Sequence, residues 1–356
     1  MYLRAFCTGE KMGSPLTERS QNILEAIVED YIQTAEPVGS RAITKRHAFN
    51  LSPATIRNVM ADLEEMGFLA SPHTSAGRIP TAKGYQYYVE SILQVRDLPD
   101  EFRLNLERAT QFEGKSMEDV MQEVGNLLSG ISRYTGLVMA PRFNSTVFRQ
   151  IEFVRLSKGR LLVIFVSESG LVQNKVIEPG IDFSVRDLEL ISNYLNHRLT
   201  GMTITQVREK IAQELREERS RLNKMQKQAL ELSDRALQGD VASQIYVAGT
   251  SHMLEQPEFT TPDSLARIMR TLESKQQLIE LLDCSQAANG VQIFIGSQAS
   301  HHEIEGCSLI AAPFSGKKGA VGTLGVIGPA RMNYSQVIPI VDFTANLVSR
   351  ILDRES

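Results

Sequence analysis

Leu51-Ser52-Pro53-Ala54-Thr55-Ile56-Arg57-Asn58-Val59-Met60-Ala61-Asp62-Leu63-Glu64-Glu65-Met66-Gly67 decides the fold. Ser52 ahead of Pro53 is a strong helix start: an N-cap hydroxyl, then a residue whose missing N–H would have had no partner anyway. Gly67 is a natural terminator. Between them Ile56, Val59, Met60 and Leu63 recur at helical steps and form an inner face. Ala54, Thr55, Arg57, Asn58 and Ala61 face outward. Small residues with one Arg and one Asn suit close approach to a major groove, where Arg reads guanine and Asn reads adenine. The free N–H groups of the first turn suit a phosphate.

The flanking segments complete a domain. Thr17 is placed to cap a helix carrying Ile23, Leu24, Ile27, Val28 and Tyr31, which Pro37-Val38-Gly39 breaks. Ser40 is then expected to cap a second helix running to about Ala48. Downstream, Phe68-Leu69-Ala70 and Arg78-Ile79-Pro80 read as short strands around the turn-rich Ser71 to Gly77. Thr81 caps a further helix through about Leu93. Three helices, a hairpin and another helix make a winged helix-turn-helix. Its basic charge is concentrated: Arg41, Lys45, Arg46, Arg57, Arg78 and Lys83 face Asp62, Glu64 and Glu65 over residues 41–83, a net of +3. Residues 16–40 net −4. Arg57 and Asn58 are the candidate base readers, Ser52 and Thr55 the candidate phosphate contacts with Pro53 between them in the DNA-binding set, and Arg41 and Lys45 are expected to touch flanking phosphates. In the wing, His73, Thr74, Ser75, Gly77 and Arg78 are candidates, with Arg78 suited to a minor groove or a phosphate. The competing readings are a protein-binding helix-turn-helix, an ordinary hairpin tip and an incidental surface histidine.

The chain has 356 residues, a formal charge of −4 and a pI near 6.0. That length predicts two or three domains. The balance argues against a polyanion-coating protein and says nothing against a small basic site. The longest apolar run, Leu161 to Val166, is far short of the ~20 residues that span a bilayer. Three distant cysteines, Cys7, Cys284 and Cys307, fit a reducing compartment, so a cytoplasmic location is expected. Residues 1–15 read as an extension without a motif, and Met12 is an alternative start.

Beyond residue 95 a linker is expected at 96–115, then a discontinuous α+β domain at 116–203 and 261–356. Its strands lie at 135–178, with the short runs from Ile151 to Ile177 as a meander, and at 291–328. Residues 204–260 read as a mainly helical insertion. Within it Ile211, Leu215, Leu222, Met225 and Leu232 form an amphipathic seam of partner-packing type, the candidate dimerisation contact. An intramolecular bundle helix is the competing reading.

Other signals carry little. Gly319, Gly322, Gly325 and Gly328 lie inside an apolar run, not between a strand and a helix as a nucleotide loop requires. His301-His302 with Cys284 and Cys307 lacks metal-ligand spacing. Ser315-Gly316-Lys317-Lys318 matches S-x-x-K in a turn without its companion motifs. No catalytic set stands out, so neither an enzyme nor a metal or other cofactor is expected.

Leu51 to Asn58, Ala61 to Glu65 and Pro72 to Thr81 together resemble the HrcA family of bacterial heat-inducible transcription repressors. Glu36 to Arg41, Gly249-Thr250-Ser251, Gln256 to Phe259, Gly325 to Pro329 and Arg331-Met332 match as well. The resemblance covers roughly residues 16–350, densest in 36–88 and 306–343. It implies a winged-helix domain, a GAF-like domain and an inserted dimerisation domain. It further implies repression of chaperone operons through an inverted-repeat operator on double-stranded DNA, called CIRCE, and support of the active repressor by the chaperonin GroEL. Two departures are the N-terminal extension and Val59, at a position expected often to be acidic. A regulator that senses a small ligand through the GAF-like domain is the alternative, and a hydrolase or transferase on the α+β domain a third reading.

Overall fold

A computed structural model describes residues 16–354 apart from 74–76, 110–114, 142–146, 169–171, 218–223, 238–243, 287–289, 297–305 and 317–320. The first three helices are α1 (Glu18–Thr34), α2 (Ser40–Arg46) and α3 (Pro53–Glu65). Thr17 caps α1 and Ser52 caps α3, each accepting a backbone N–H three residues on. Ser40 does not cap α2: Gly39 takes the N-cap position, and the buried Ser40 is the first helical residue. Gly39 is tolerated there because no side chain is needed to reach extended backbone. Strands β1 (Leu69–Ala70) and β2 (Ile79–Pro80) pair antiparallel as the wing. Then α4 (Ala82–Tyr87), capped by Thr81, continues as a π-helical turn at Tyr88–Ile92. Ile23, Leu24, Ile27, Ile43, Ile56, Leu63 and Val89 are fully buried and form the small core of this domain.

The expected linker is in part a helix. In α5 (Asp100–Ala109) Leu106 is fully buried, and the Arg103 guanidinium lies over the Phe343 ring at 5.9 Å. Next, α6 (Met117–Ser132) leads into β3 (Thr135–Met139). Strands β4 (Phe148–Ser157), β5 (Arg160–Ser167) and β6 (Val172–Ile177) form a three-stranded antiparallel sheet of their own. Helices α7 (Val185–Leu199), α8 (Ile204–Glu217) and α9 (Lys224–Leu237) follow.

After them the chain returns as β7 (Ile245–Ala248), α10 (Ser251–Leu254), a 3-10 turn at Pro257–Phe259, α11 (Pro262–Glu273) and α12 (Lys275–Gln286). Strands β8 (Gln292–Ile295), β9 (Cys307–Ser315) and β10 (Val321–Pro329) and helix α13 (Tyr334–Arg354) complete it. The second sheet has the order β7-β3-β10-β9-β8. Leu137, Met139, Leu309, Ala311 and Ile327 pack on α11 and α12 residues such as Ile268, Leu272, Leu278 and Leu282. Gly325 allows the β9–β10 approach, since a Cβ there would lie 2.4 Å from the Ile310 carbonyl oxygen. The five-stranded sheet and the helices packed on it form an α+β domain.

The division of the chain differs from the expected one. The meander does not join the α+β sheet. Its inner face, Phe148, Ile151, Phe153, Leu161, Val163 and Phe165, shares one core with Leu188, Ile191, Leu195, Val207, Ile211, Ala229, Leu230 and Leu232. The insertion therefore spans about 140–244, and Ile245–Ala248 pairs with β3 in the other sheet. The physical reason is the period of 2 in the strands: it exposes one apolar face, which the stripe of the following helices covers. One unit holds the chain through Met139 with Ile245–Pro313 and Thr323–Ala345; the other holds Ala140–Gln244, Phe314–Gly322 and residues from Asn346.

Candidate nucleic-acid interface

Helix α3 buries Ile56, Val59, Met60 and Leu63 and exposes Ala54, Arg57, Asn58 and Ala61, as its spacing predicts, while Thr55 of the expected outer set is half-buried. Val59 lies inside, so its departure from the expected acidic residue does not alter the outer face. The Ser52 Oγ accepts the Thr55 N–H at 3.1 Å and lies 2.9 Å from the Thr55 hydroxyl. This pair fixes the first turn, and Pro53 at its start is exposed. Among the described residues no side chain pairs with Arg41, Lys45 or Arg57. All three are exposed cations on α2 and α3, the two helices of the helix-turn-helix.

The neighbouring basic side chains are committed elsewhere. Arg46 and His47 both hold the buried Asp30 carboxylate, each at 3.2 Å. Lys83 donates to the Met66 carbonyl at 2.7 Å and lies over the Phe68 ring. Arg78 donates through Nε to Glu64 Oε2 at 2.8 Å and through Nη1 to the Ser71 hydroxyl at 3.2 Å. It is a strut between wing and α3 rather than a free probe. Its backbone pairs with Val38 in both directions at 2.9 Å. Gly77 is required by the same contact, because a Cβ there would sit 2.4 Å from the Val38 carbonyl carbon and oxygen. Gly77 and Arg78 thus build the wing. His73 is exposed at its tip; Thr74 and Ser75 lie outside the described residues.

The structure brings Arg41, Lys45, Ser52, Thr55, Arg57 and Asn58 onto the helix-turn-helix. It places Ile211 and Leu232 in the insertion's own core. Leu215 and Met225 lie on α8 and α9, with side chains outside the described residues, as is all of Leu222. Sequence reasoning missed a cleft of about 750 Å³ beside the reading domain, lined by Glu25, Glu29, Tyr88, Arg96, Asp97 and Gln336 among others. Burial first, then Glu29, raises the Glu25 carboxyl above its ordinary value, and His47 opposes this. Among the described residues no three His, Cys, Asp or Glu side chains group to hold a metal, and His301-His302 lies outside them. Among them, too, no helix is long and apolar enough to cross a membrane.

A winged helix with exposed cations on and beside its capped third helix, joined to an α+β body, defines a DNA-binding transcription regulator. Comparison with known proteins makes this specific. Residues 15–92 match the family model for the winged helix-turn-helix transcription repressor, HrcA DNA-binding domain, and 118–338 that for the HrcA protein C-terminal domain. The chain belongs to the HrcA family of transcription repressors. It is 51% identical over 340 residues to the heat-inducible transcription repressor HrcA of Geobacter sulfurreducens, covering 96% of this chain and 99% of that one. It is 41% identical over 342 residues to that of Syntrophobacter fumaroxidans, covering 96% and 98%. A crystal structure described as a hypothetical protein has the same fold, with TM-score 0.60 and 22% identity over 96% of this chain and all of that one.

Proposed function

We propose that this chain is a cytoplasmic, non-enzymatic homodimeric repressor that reads an inverted-repeat operator of CIRCE type upstream of chaperone genes and releases it on heating. The carrying observation is the outer face of α3, where Ala54, Arg57, Asn58 and Ala61 stand exposed, with Arg57 and the α2 cations Arg41 and Lys45 unpaired among the described residues. Arg57 and Asn58 read base edges, and Arg41 and Lys45 neutralise phosphates. An inverted repeat needs two copies about a two-fold axis. With Ile211 and Leu232 used inside the insertion, the pairing surface falls on the outer face of its sheet. There Val154, Leu162 and Val176 form one cross-strand row and Val166 and Val172 another. Of these, Val154, Val172 and Val176 are exposed. Support by the chaperonin GroEL belongs to the same reading. Footprinting on DNA upstream of chaperone genes at two salt concentrations tests it. A protected inverted repeat that outcompetes random duplex is the expected result, and uniform binding overturns it.

The cleft beside Glu25 favours one further reading, a small effector that alters DNA affinity. A reproducible, saturable thermal shift with a metabolite would establish it.

A further inference from the structure

We propose that Arg331 is an ionic latch that fixes the DNA-reading domain on the α+β body, and that the latched arrangement is the one that binds both halves of an operator. Its guanidinium engages three groups. Nε pairs with Glu258 on the 3-10 turn, Nη2 donates to Gln256 Oε1 at 3.1 Å, and Nη1 donates to the carbonyl of Ile32 at 3.1 Å. Ile32 lies in the last turn of α1. That helix has no basic residue of its own at its C-terminus and ends with Ala35 at positive φ. A helix C-terminus carries partial negative charge and unpaired carbonyls. The cation that α1 lacks is supplied from 299 residues away.

Tyrosines from both sides lie close to the ion pair. Tyr31 and Tyr85 come from the reading domain, and Tyr134 and Tyr334 from the body. The Tyr85 and Tyr334 rings lie 6.0 Å apart, and Tyr134 accepts the Asn333 N–H. Burial above all raises all four phenols. The packing is tight but not fully satisfied: the Tyr85 hydroxyl and Glu258 Oε2 are buried without a hydrogen-bond partner among the described residues. Buried polar atoms left unpaired weaken the closed state, so the contact can open while each side keeps its own core. A fixed half-site spacing requires each recognition helix to be fixed to the body. A half-site read alone does not.

The inference rests on the operator reading above. The test compares full-length wild type and Arg331→Met on the footprinted inverted repeat, an isolated half-site, random duplex, and repeats with spacers altered by one or two base pairs. The expected result is at least tenfold weaker binding to the full repeat, with half-site and random affinities within twofold and no remaining discrimination between spacers. In parallel, hydrogen exchange at the amides of residues 82–89 quickens at least tenfold. Unchanged full-site affinity and spacer preference overturn the proposal. So does tighter binding, which would make the contact autoinhibitory. If Arg331→Met does not melt cooperatively, Glu258→Gln, which keeps the shape and removes the charge, replaces it, with about threefold effects expected in the same direction. If the wild type shows no preference for the inverted repeat, the operator reading fails. Exchange then judges the latch alone, and unchanged exchange overturns it.

Discussion

Arg57 and Arg78 stand on the same small domain with different duties. Arg57 is exposed and unpaired among the described residues, while Arg78 is held by Glu64 and Ser71. Arg57→Ala should cost ~1–3 kcal/mol of binding and relax specificity at one base position. Competition footprinting against single-base operator variants measures this; equal weakening on random DNA would assign Arg57 to phosphate instead. Arg78→Ala removes an ion pair whose members are 26% and 32% exposed. Solvent screening limits that loss to ~1 kcal/mol or less, read from thermal melting. Its effect on binding should be the same for specific and random DNA, because a loosened wing alters backbone contact only. Gly77→Ala should be worse than either for stability, because the Val38 backbone leaves no room for a methyl group.

At the scale of elements, the insertion separates two substitutions that both remove apolar character. Ile211 is buried among Val207, Leu195 and their neighbours, so Ile211→Ala should cost about 2–5 kcal/mol in a thermal melt. Its oligomeric state should hold while it remains folded. Val154→Asp, on the exposed sheet face, should leave the melt of the insertion nearly intact and shift sedimentation toward a monomer; an unchanged dimer would move the pairing surface elsewhere. The same elements show what can be read from the chain. Helix α3 is legible because cap, proline, apolar spacing and terminating glycine all agree within a short stretch. The meander's strands are legible too, but not their sheet, since strand pairing is a long-range choice that local alternation does not encode. For the same reason Ile211 and Leu232 look alike as a partner seam and as a core stripe. Arg78 reads as a free probe because nothing local announces Glu64 as its partner, fourteen residues earlier. Arg331 matches a motif but shows no role in sequence, because its bond to Ile32 spans most of the chain.

For the whole molecule, the question is which part yields to heat. Cys307 lies in the α+β core, and burial pushes its thiol up to about 12. Thiolate is the reactive form, so at pH 8 this cysteine should resist alkylation until that core opens. Following its labelling alongside DNA release over a temperature ramp orders the two events. Release is expected first, with the α+β core still closed and the Arg331 latch open. Labelling that precedes release would place the sensor in the α+β core.

The insertion also sets the order in which the molecule can be assembled. Strands β3 and β7 are adjacent antiparallel partners, with Met139 opposite Ile245, and the Ala140 N–H donates to the Gln244 carbonyl. The residues between them occupy the place of a hairpin turn. Closing so long a loop from an unfolded chain costs roughly 3 kcal/mol more than closing a four-residue turn, at about 0.6 kcal/mol per doubling of length. A prefolded insertion brings its own ends together and removes most of that cost. Refolding of the α+β sheet should therefore wait on the insertion, and substitutions in the Phe148–Leu232 core should slow it. Replacing residues 140–244 by a tight Asn-Gly turn should let the sheet form faster than in the full chain.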